Sequence, residues 1–246
     1  MKTRIGAGID LYAPYSAFLD FGANGCLDLK FPHIPMIPAE HKTIVVGVTG
    51  ASGAVLAQAA LRLLEADPRV ARIHLVVTDT GARLLAHELN IVTSDAKQLP
   101  SLLIGGRAEK TEILPNKDVG ASIASGSYPV DAMVVIPCSM GTLAGIAAGT
   151  SDDLIARAAD VCLKEGRRLV LCVRDTPFSR IHLENMLRVQ QAGAVIMPAI
   201  PSFYHQPKTI DDLVAQYVYR VLAQMALPQE QMYRWEGQAK AKAREV

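Results

Sequence analysis

The residues with chemical potential lie in short polar turns that follow apolar, strand-like runs. The clearest turn is Gly50-Ala51-Ser52-Gly53, which stands between the run "TIVVGV" and an apolar, helix-like segment. Glycine lets the backbone approach a ligand, and a helix N-terminus offers free N–H groups to an anion. The turn predicts a nucleotide site, but the Gly47-x-x-Gly50-x-x-Gly53 spacing does not identify the nucleotide.

Two further turns have the same character. "PCSMGT" follows an apolar run and supplies the hydroxyls of Ser139 and Thr142 beside a flexible Gly141, which predicts a second anion-binding turn. The run "RRLVLCVR" ends in Arg174-Asp175. Because ligands of parallel α/β sheets bind beyond the carboxyl ends of the strands, a charged pair at that position favours a functional role.

A pair of cations stands apart from these turns. In "SDDLIARAADVCLKEG", Arg157 and Lys164 are seven residues apart, so a helix places both on one face, next to its apolar stripe. They either bind an anion, as arginine and lysine do in metal-free phosphate sites, or extend their charged ends to solvent or pair with Asp153 and Asp160. The spacing alone does not decide between these two interpretations.

A nicotinamide reductase is one alternative. Such enzymes use a Tyr and a Lys four residues apart on a helix, and Tyr204 and Lys208 have that spacing. Pro207 lies between them and Pro201 lies upstream, which disfavours a helix. Tyr204 is therefore either a packed loop aromatic or a phenol that reaches a ligand.

Composition excludes several other classes. The net charge of +1 gives no electrostatic reason to bind nucleic acid, and no apolar run reaches the roughly 18 residues that span a membrane. The four cysteines form no CxxC pair, which favours a reducing, cytoplasmic setting. The histidines have no metal-like spacing, so we expect no zinc site, and no G-x-S-x-G elbow indicates a serine hydrolase.

The surrounding elements must position these turns. From residue 43 onward, five apolar strand-like runs alternate with helical segments, the first of which is Gly53–Glu65. This alternation predicts an α/β fold: a three-layer, Rossmann-like (flavodoxin-like) parallel sheet with helices on both faces. Residues 1–42 are rich in proline and lack periodicity. We expect an irregular extension over 1–42 and one domain over 43–246.

Several segments together match a known family. They are "VTGASGA", "IASGS", "PCSMGTLAGIAAG", "LIARAADVCLKE", "VRDTPFSRIHLENM" and "PSFYHQPKTIDDLV", in this order. From about Thr43 to Leu227 the chain resembles the UbiX-type flavin prenyltransferases, formerly described as aromatic-acid decarboxylases.

The resemblance implies an FMN-binding α/β subunit, usually assembled into a dodecamer with sites where subunits meet. The implied reaction joins a dimethylallyl group from dimethylallyl phosphate, or in some members the diphosphate, to N5 and C6 of reduced FMN without a metal. The product, prenylated FMN, is the cofactor of a separate UbiD-type decarboxylase. The net charge and the lack of a membrane-length apolar run indicate no nucleic-acid or membrane partner.

The resemblance also assigns roles residue by residue. The FMN-binding positions are Gly50, Ala51, Ser52, Thr78, Ser139, Met140, Gly141, Thr142 and Arg174. The positions around the prenyl phosphate are Arg157, Lys164, Tyr204 and Arg220. The catalytic positions are Ser52, Glu88, Lys164 and Asp175, with Ser52 and Glu88 suited to relay a proton near flavin N5.

Three departures accompany the match. Asp175 replaces the family's usual glutamate, so we expect slower ring closure with FMN binding retained. Gly141 stands where many members have lysine or arginine, and the 42-residue extension is absent from the usual members. The alternatives are a non-catalytic FMN carrier of the same fold and a flavin-dependent cysteinyl-peptide decarboxylase, whose "PxMNxxMW" segment has no match here.

Overall fold

The computed structural model describes residues 41–235. Within this range six strands form one parallel sheet. The strands run in the spatial order β3-β2-β1-β4-β5-β6. Their bounds are β1 Lys42–Val48, β2 Val70–Val77, β3 Thr111–Pro115, β4 Ala132–Cys138, β5 Arg168–Val173 and β6 Val195–Ile196. This is the Rossmann strand order, which differs from the flavodoxin order 2-1-3-4-5.

Helices cover both faces of the sheet, as the apolar strands require. The helices are α1 Ala54–Ala66, α2 Asp79–Leu89, α3 Leu99–Ile104, α4 Met140–Ala148, α5 Leu154–Lys164, α6 Arg180–Gln191 and α7 Ile210–Gln224. Ile44 and Val46 of β1 pack under α1, α2, α3 and α7, whereas Val45 packs under α4, α5 and α6. The predicted three-layer fold class is confirmed.

The elements that the sequence reasoning missed are short. β3 is a five-residue edge strand that is only partly buried, so it lacks the apolar run of the central strands. α3 has six residues, and α4 begins inside "PCSMGT", which was interpreted only as a turn.

The structure describes only the last two residues of the extension predicted over 1–42, so that prediction lies outside the described residues. The single domain predicted over 43–246 stays a prediction. Across residues 41–235, no helix has the length and apolarity needed to cross a membrane. In the same part of the chain, no three His, Cys, Asp or Glu side chains group closely enough to hold a metal ion.

Three cysteines, Cys138, Cys162 and Cys172, are free and buried in the core. Burial raises the pKa of Cys162 and of Cys172 to about 12, so both thiols stay protonated at neutral pH. They therefore act as small apolar side chains and not as nucleophiles.

Candidate active site

The predicted site residues that follow β1, β4 and β5 meet at the carboxyl edge of the sheet, where the strand order reverses between β1 and β4. Thr49 joins the first two turns there. Its buried hydroxyl donates to the carbonyl of Pro137 at 2.8 Å and accepts from the N–H of Ser139 at 2.8 Å. The two predicted FMN-binding turns are thus one hydrogen-bonded unit.

Gly50 is a steric necessity in the first turn. A Cβ built at Gly50 would lie 2.5 Å from the hydroxyl oxygen of Thr80, at the start of α2. This distance is shorter than real contacts allow, so any side chain at Gly50 would push the turn away from α2. Ser52, two residues later, is exposed.

Glu88 binds the N-terminus of α1. Its carboxylate accepts from the N–H of Ala54 at 2.8 Å and from the N–H of Gly53 at 3.0 Å, and it also bonds the side chain of Ser52. The expectation that this helix start offers free N–H groups to an external anion therefore needs correction. An internal carboxylate already binds two of them, those of Gly53 and Ala54, since Gly53 itself supplies no side-chain cap.

The environment keeps Glu88 ionised. Burial alone would raise the pKa of Glu88, but the hydrogen bonds from Ala54, Gly53 and Ser52 and the positive charge of Arg174 outweigh burial, so the pKa lies below its ordinary value. At neutral pH Glu88 is therefore a carboxylate bonded to Ser52, which suits it to accept a proton through that hydroxyl.

Thr78 and Ser139 both act as helix caps. The Thr78 hydroxyl accepts from the N–H of Gly81 at 2.9 Å, and the Ser139 hydroxyl accepts from the N–H of Thr142 at 3.3 Å. Each cap fixes the start of a helix, α2 or α4, at the carboxyl edge. Space is open above α4, because a Cβ built at Gly141 would meet no atom within 4 Å.

Arg174 carries a buried polar atom without a partner among the described residues. Its N–H donates to the carbonyl of Cys138 at 3.2 Å, which ties the end of β5 to the end of β4, while its buried side-chain Nε has no hydrogen-bond partner. Buried donors of this kind are costly unless something binds them. Asp175 turns back on the chain, where its carboxylate accepts from the N–H of Thr176 at 2.8 Å.

The α5 cations have partners within the chain. Arg157 pairs with Asp160 at 2.9 Å and donates from Nε to the carbonyl of Ala124 at 3.1 Å. Lys164 pairs with Glu165. The expected pairing with Asp160 is therefore confirmed, but the pairing with Asp153 is wrong. Asp153 instead caps α5 by accepting from the N–H of Ala156.

The residues predicted around the prenyl phosphate do not converge within one subunit. Arg220 lies on α7, which packs on the α1 face of the sheet, whereas Arg157 and Lys164 lie on α5, on the opposite face. Lys164 also ends α5 at the amino edge, about 10 Å along the helix from Arg157. Tyr204 is 72% exposed and meets the ring of Trp235 edge to face, with centroids 6.0 Å apart.

Sequence reasoning missed Thr49 and Thr80. Thr49 joins the two turns, and the approach of Thr80 dictates Gly50. A polar residue directly after a buried strand was the available signal for Thr49, because a buried hydroxyl requires partners. Nothing in the sequence pattern indicates the contact between Thr80 and Gly50, which depends on how α2 packs.

Comparison with known proteins places this architecture in a family. The family model described as Flavoprotein matches residues 36–222. The flavin prenyltransferase UbiX of Halalkalibacterium halodurans is 46% identical over 191 residues, which covers 77% of this chain and 91% of that protein. The chain belongs to the Flavoprotein family and, within it, to the UbiX flavin prenyltransferases.

Solved structures agree with this assignment. The crystal structure of AnUbiX (PadA1) in complex with FMN and dimethylallyl pyrophosphate is 42% identical, with a TM-score of 0.70 over 80% of this chain and 98% of that one. A dodecameric FMN-dependent UbiX-like decarboxylase from Escherichia coli O157:H7 is 44% identical, with a TM-score of 0.70 over 79% of this chain and 100% of that one.

Proposed function

We propose that this protein joins a dimethylallyl group from dimethylallyl phosphate to N5 and C6 of reduced FMN, with release of phosphate and no metal. The observation that carries the assignment of the site is Arg174, whose buried Nε has no partner among residues 41–235. It stands at the edge where the two linked turns end, so an anionic ligand there would satisfy it.

The residues at the edge fit FMN as the bound flavin. The Gly50–Ser52 turn gives backbone clearance, the open space at Gly141 admits a bulky group, and Arg174 supplies positive charge. Thr78, Ser139 and Thr142 act mainly by holding the helix starts in place, and Ala51 and Met140 line the two turns. Reduced FMN supplies the nucleophilic nitrogen when it is bound.

Proton transfer falls to the pair of Ser52 and Glu88. The ionised carboxylate bonds the serine hydroxyl, so a proton leaving the flavin passes to Ser52 while Glu88 accepts the serine proton. The hydrogen bonds from Gly53 and Ala54 hold the carboxylate in one orientation. Asp175, at the end of β5, is the second carboxylate available for a later proton removal.

The donor phosphate is bound where subunits meet. Cleavage of an allylic C–O bond produces a dianionic leaving group, which arginine, lysine and a phenol can stabilise as fixed donors. Arg157 and Lys164 lie on one face of each subunit and Arg220 on the other, so cations from different subunits complete one phosphate site. Tyr204 adds an exposed phenol to that site.

Exposed apolar side chains support a homo-oligomer, which by analogy with the E. coli relative is a dodecamer. Ile181, Leu183 and Leu187 of α6 are each more than half exposed. The three buried, reduced thiols fit a cytoplasmic location. The product, prenylated FMN, passes to a UbiD-type decarboxylase.

The direct test mixes the full-length protein with reduced FMN and dimethylallyl monophosphate without oxygen, followed by mass spectrometry of the released flavin. We expect a flavin heavier by one dimethylallyl-derived unit. If neither the mono- nor the diphosphate adds mass, the protein is a carrier of FMN and not a transferase.

A second test separates the two anion sites. Arg220→Ala should weaken use of the prenyl phosphate by about tenfold or more while the protein retains FMN, because a charge-assisted contact to phosphate is lost. Retention is measured by flavin absorbance after gel filtration. If Arg220→Ala strips FMN from the protein, the separation of the sites is wrong.

A further inference from the structure

A buried polar chain links the edge strand to the loop that follows β3. His74, in the middle of β2, has a fully buried side chain and is the sheet partner of Glu112 on β3. Its Nε2 lies 2.9 Å from the hydroxyl of Tyr128, and the two rings meet edge to face. Its Nδ1 lies 2.7 Å from a carboxylate oxygen of Glu112, close but not aligned as a linear hydrogen bond.

The direction of these contacts follows from their chemistry. Burial lowers the pKa of His74, and Arg72 lowers it further, while Glu112 raises it; the result is a pKa below the ordinary value and a neutral ring at pH 7. A carboxylate only accepts, so the ring proton belongs on Nδ1, towards Glu112. Nε2 then accepts from the hydroxyl of Tyr128.

The loop that carries Tyr128 contacts three cations, all in or directly after α5. The carbonyl of Ala124 accepts from Arg157 Nε at 3.1 Å. The carbonyls of Gly126 and Tyr128 both accept from the guanidinium of Arg167, at 2.6 Å and 2.9 Å.

Lys164 crosses the same loop. A Cβ built at Gly126 would lie 2.7 Å from Lys164 Nζ and closer still to a carboxylate oxygen of Glu165, so this pair of side chains packs directly against Gly126. The loop also binds itself, because the N–H of Tyr128 donates to the carbonyl of Ser125 at 3.2 Å. The segment from Ala124 to Tyr128 therefore binds Arg157 and Arg167 through its carbonyls, and Lys164 packs against it at Gly126.

We infer that Tyr128 and His74 are positioning residues for the donor-phosphate site: their hydrogen bond anchors the loop whose Ala124 carbonyl holds Arg157 and against which Lys164 packs. This inference rests on the function proposed above. Neither residue touches a ligand. Tyr128 bonds the loop to the sheet, and its own carbonyl and those of Ala124 and Gly126 accept from Arg167 and Arg157.

The choice of a polar anchor on this face has a physical rationale. The surrounding cluster is apolar and includes Val76, Ile123 and Val130, so a buried imidazole is costly there without partners. Two apolar side chains in place of His74 and Tyr128 would pack together without fixing one orientation of the loop. A bond between two oriented polar groups does fix it.

The test measures the kinetics of Tyr128→Phe in the full-length protein. We expect KM for dimethylallyl monophosphate to rise about tenfold, as expected when one buried hydrogen bond is lost, with FMN affinity unchanged. His74→Leu removes the same bond from the other side, so the double variant should show the KM of either single variant. A double variant whose effects multiply would overturn the pairing.

Thr111→Val is the matched control, because it removes one hydroxyl hydrogen bond, to Glu65 at 2.6 Å, at the start of β3 and away from the loop. Its donor KM should equal that of the wild type. If Tyr128→Phe lowers the melting temperature but leaves the donor KM unchanged, the role is only structural and the inference fails. If the wild type forms no prenylated flavin, the proposed function fails instead.

Discussion

The hydroxyl of Thr49 accepts a hydrogen bond from the backbone N–H of Ser139 at 2.8 Å, across the point where the strand order reverses. The same hydroxyl donates to Pro137. One buried side chain therefore sets the distance between the turn after β1 and the turn after β4. Both turns lie at the edge where we place FMN, so their spacing determines how well the flavin fits.

Thr49→Val should weaken FMN binding. The variant keeps the shape of the side chain but leaves the N–H of Ser139 and the carbonyl of Pro137 without a partner, at a cost of about 1–3 kcal/mol for each buried group. We expect the dissociation constant for FMN to rise about tenfold or more, as measured by flavin fluorescence titration. Thr49→Ser retains the hydroxyl and should bind FMN as the wild type does. Equal affinity in the valine and serine variants would contradict the linking role.

Glu88→Gln should slow turnover and spare FMN binding. An amide oxygen can still accept from the N–H groups of Gly53 and Ala54, but it cannot take a proton from Ser52. We expect kcat to fall by roughly 100-fold or more, the usual size of a general-base contribution. Single-turnover flavin mass spectrometry measures the rate. A variant with unchanged kcat would remove Glu88 from the proton relay.

The pH profile should reflect the lowered pKa of Glu88. Because the native carboxyl pKa lies below its ordinary value, the group stays ionised down to a pH below about 4.3, the usual value for glutamate. We expect no loss of kcat from this group between about pH 5 and 8. An acid limb with its midpoint in that interval, present in the wild type and absent in Glu88→Gln, would contradict the stated environment.

Asp175→Glu should accelerate product formation. The Asp175 carboxylate is turned back to the N–H of Thr176, and it is one methylene shorter than the glutamate usual in the family. A longer side chain reaches further from the end of β5. We expect ring closure to be faster by severalfold with FMN binding unchanged, whereas Asp175→Asn should block closure. A slower glutamate variant would show that aspartate is suited to this site.

Asp67 should make the protein sensitive to acid. The carboxylate is almost fully buried, and Arg69 at 2.6 Å is the main reason that its pKa falls to about 2. A lowered carboxyl pKa stabilises the fold above the unfolded pKa near 4 and stops doing so as pH falls towards 2. The difference corresponds to about 2 kcal/mol. Urea unfolding at pH 7 and pH 3 should show about half of this difference, because pH 3 lies midway between the two pKa values. Asp67→Asn should abolish this part of the pH dependence.

The sequence was sufficient for the central fold and for the chemistry of the turns. β1, β2, β4 and β5 contain apolar runs that only a doubly covered parallel sheet accommodates, so their number and order of appearance were predictable. β3 was not, because a partly buried edge strand has a mixed pattern. α4 was missed because its first residues look like a flexible turn.

The site was predictable in residue types but not in contacts. Glycine, serine and arginine after apolar runs were sufficient to indicate Gly50, Ser52 and Arg174. Glu88 caps α1 from 35 residues away. This contact depends on how α1 and α2 pack, so no local sequence pattern predicts it. The link from His74 to Tyr128 depends on packing in the same way.

The division of the cations between two faces of the sheet has a genetic consequence. Under the proposed assembly, each subunit contributes the flavin-binding edge to one site and donor-binding cations to other sites. Two inactive subunits with different substitutions can therefore each supply the part of a site that the other lacks. A subunit with Ser52→Ala still offers an intact Arg157 and Lys164, and a subunit with Lys164→Ala still offers an intact edge. Co-expression of the two would restore a statistical fraction of working sites, so recessive lesions at these positions would complement each other within one gene.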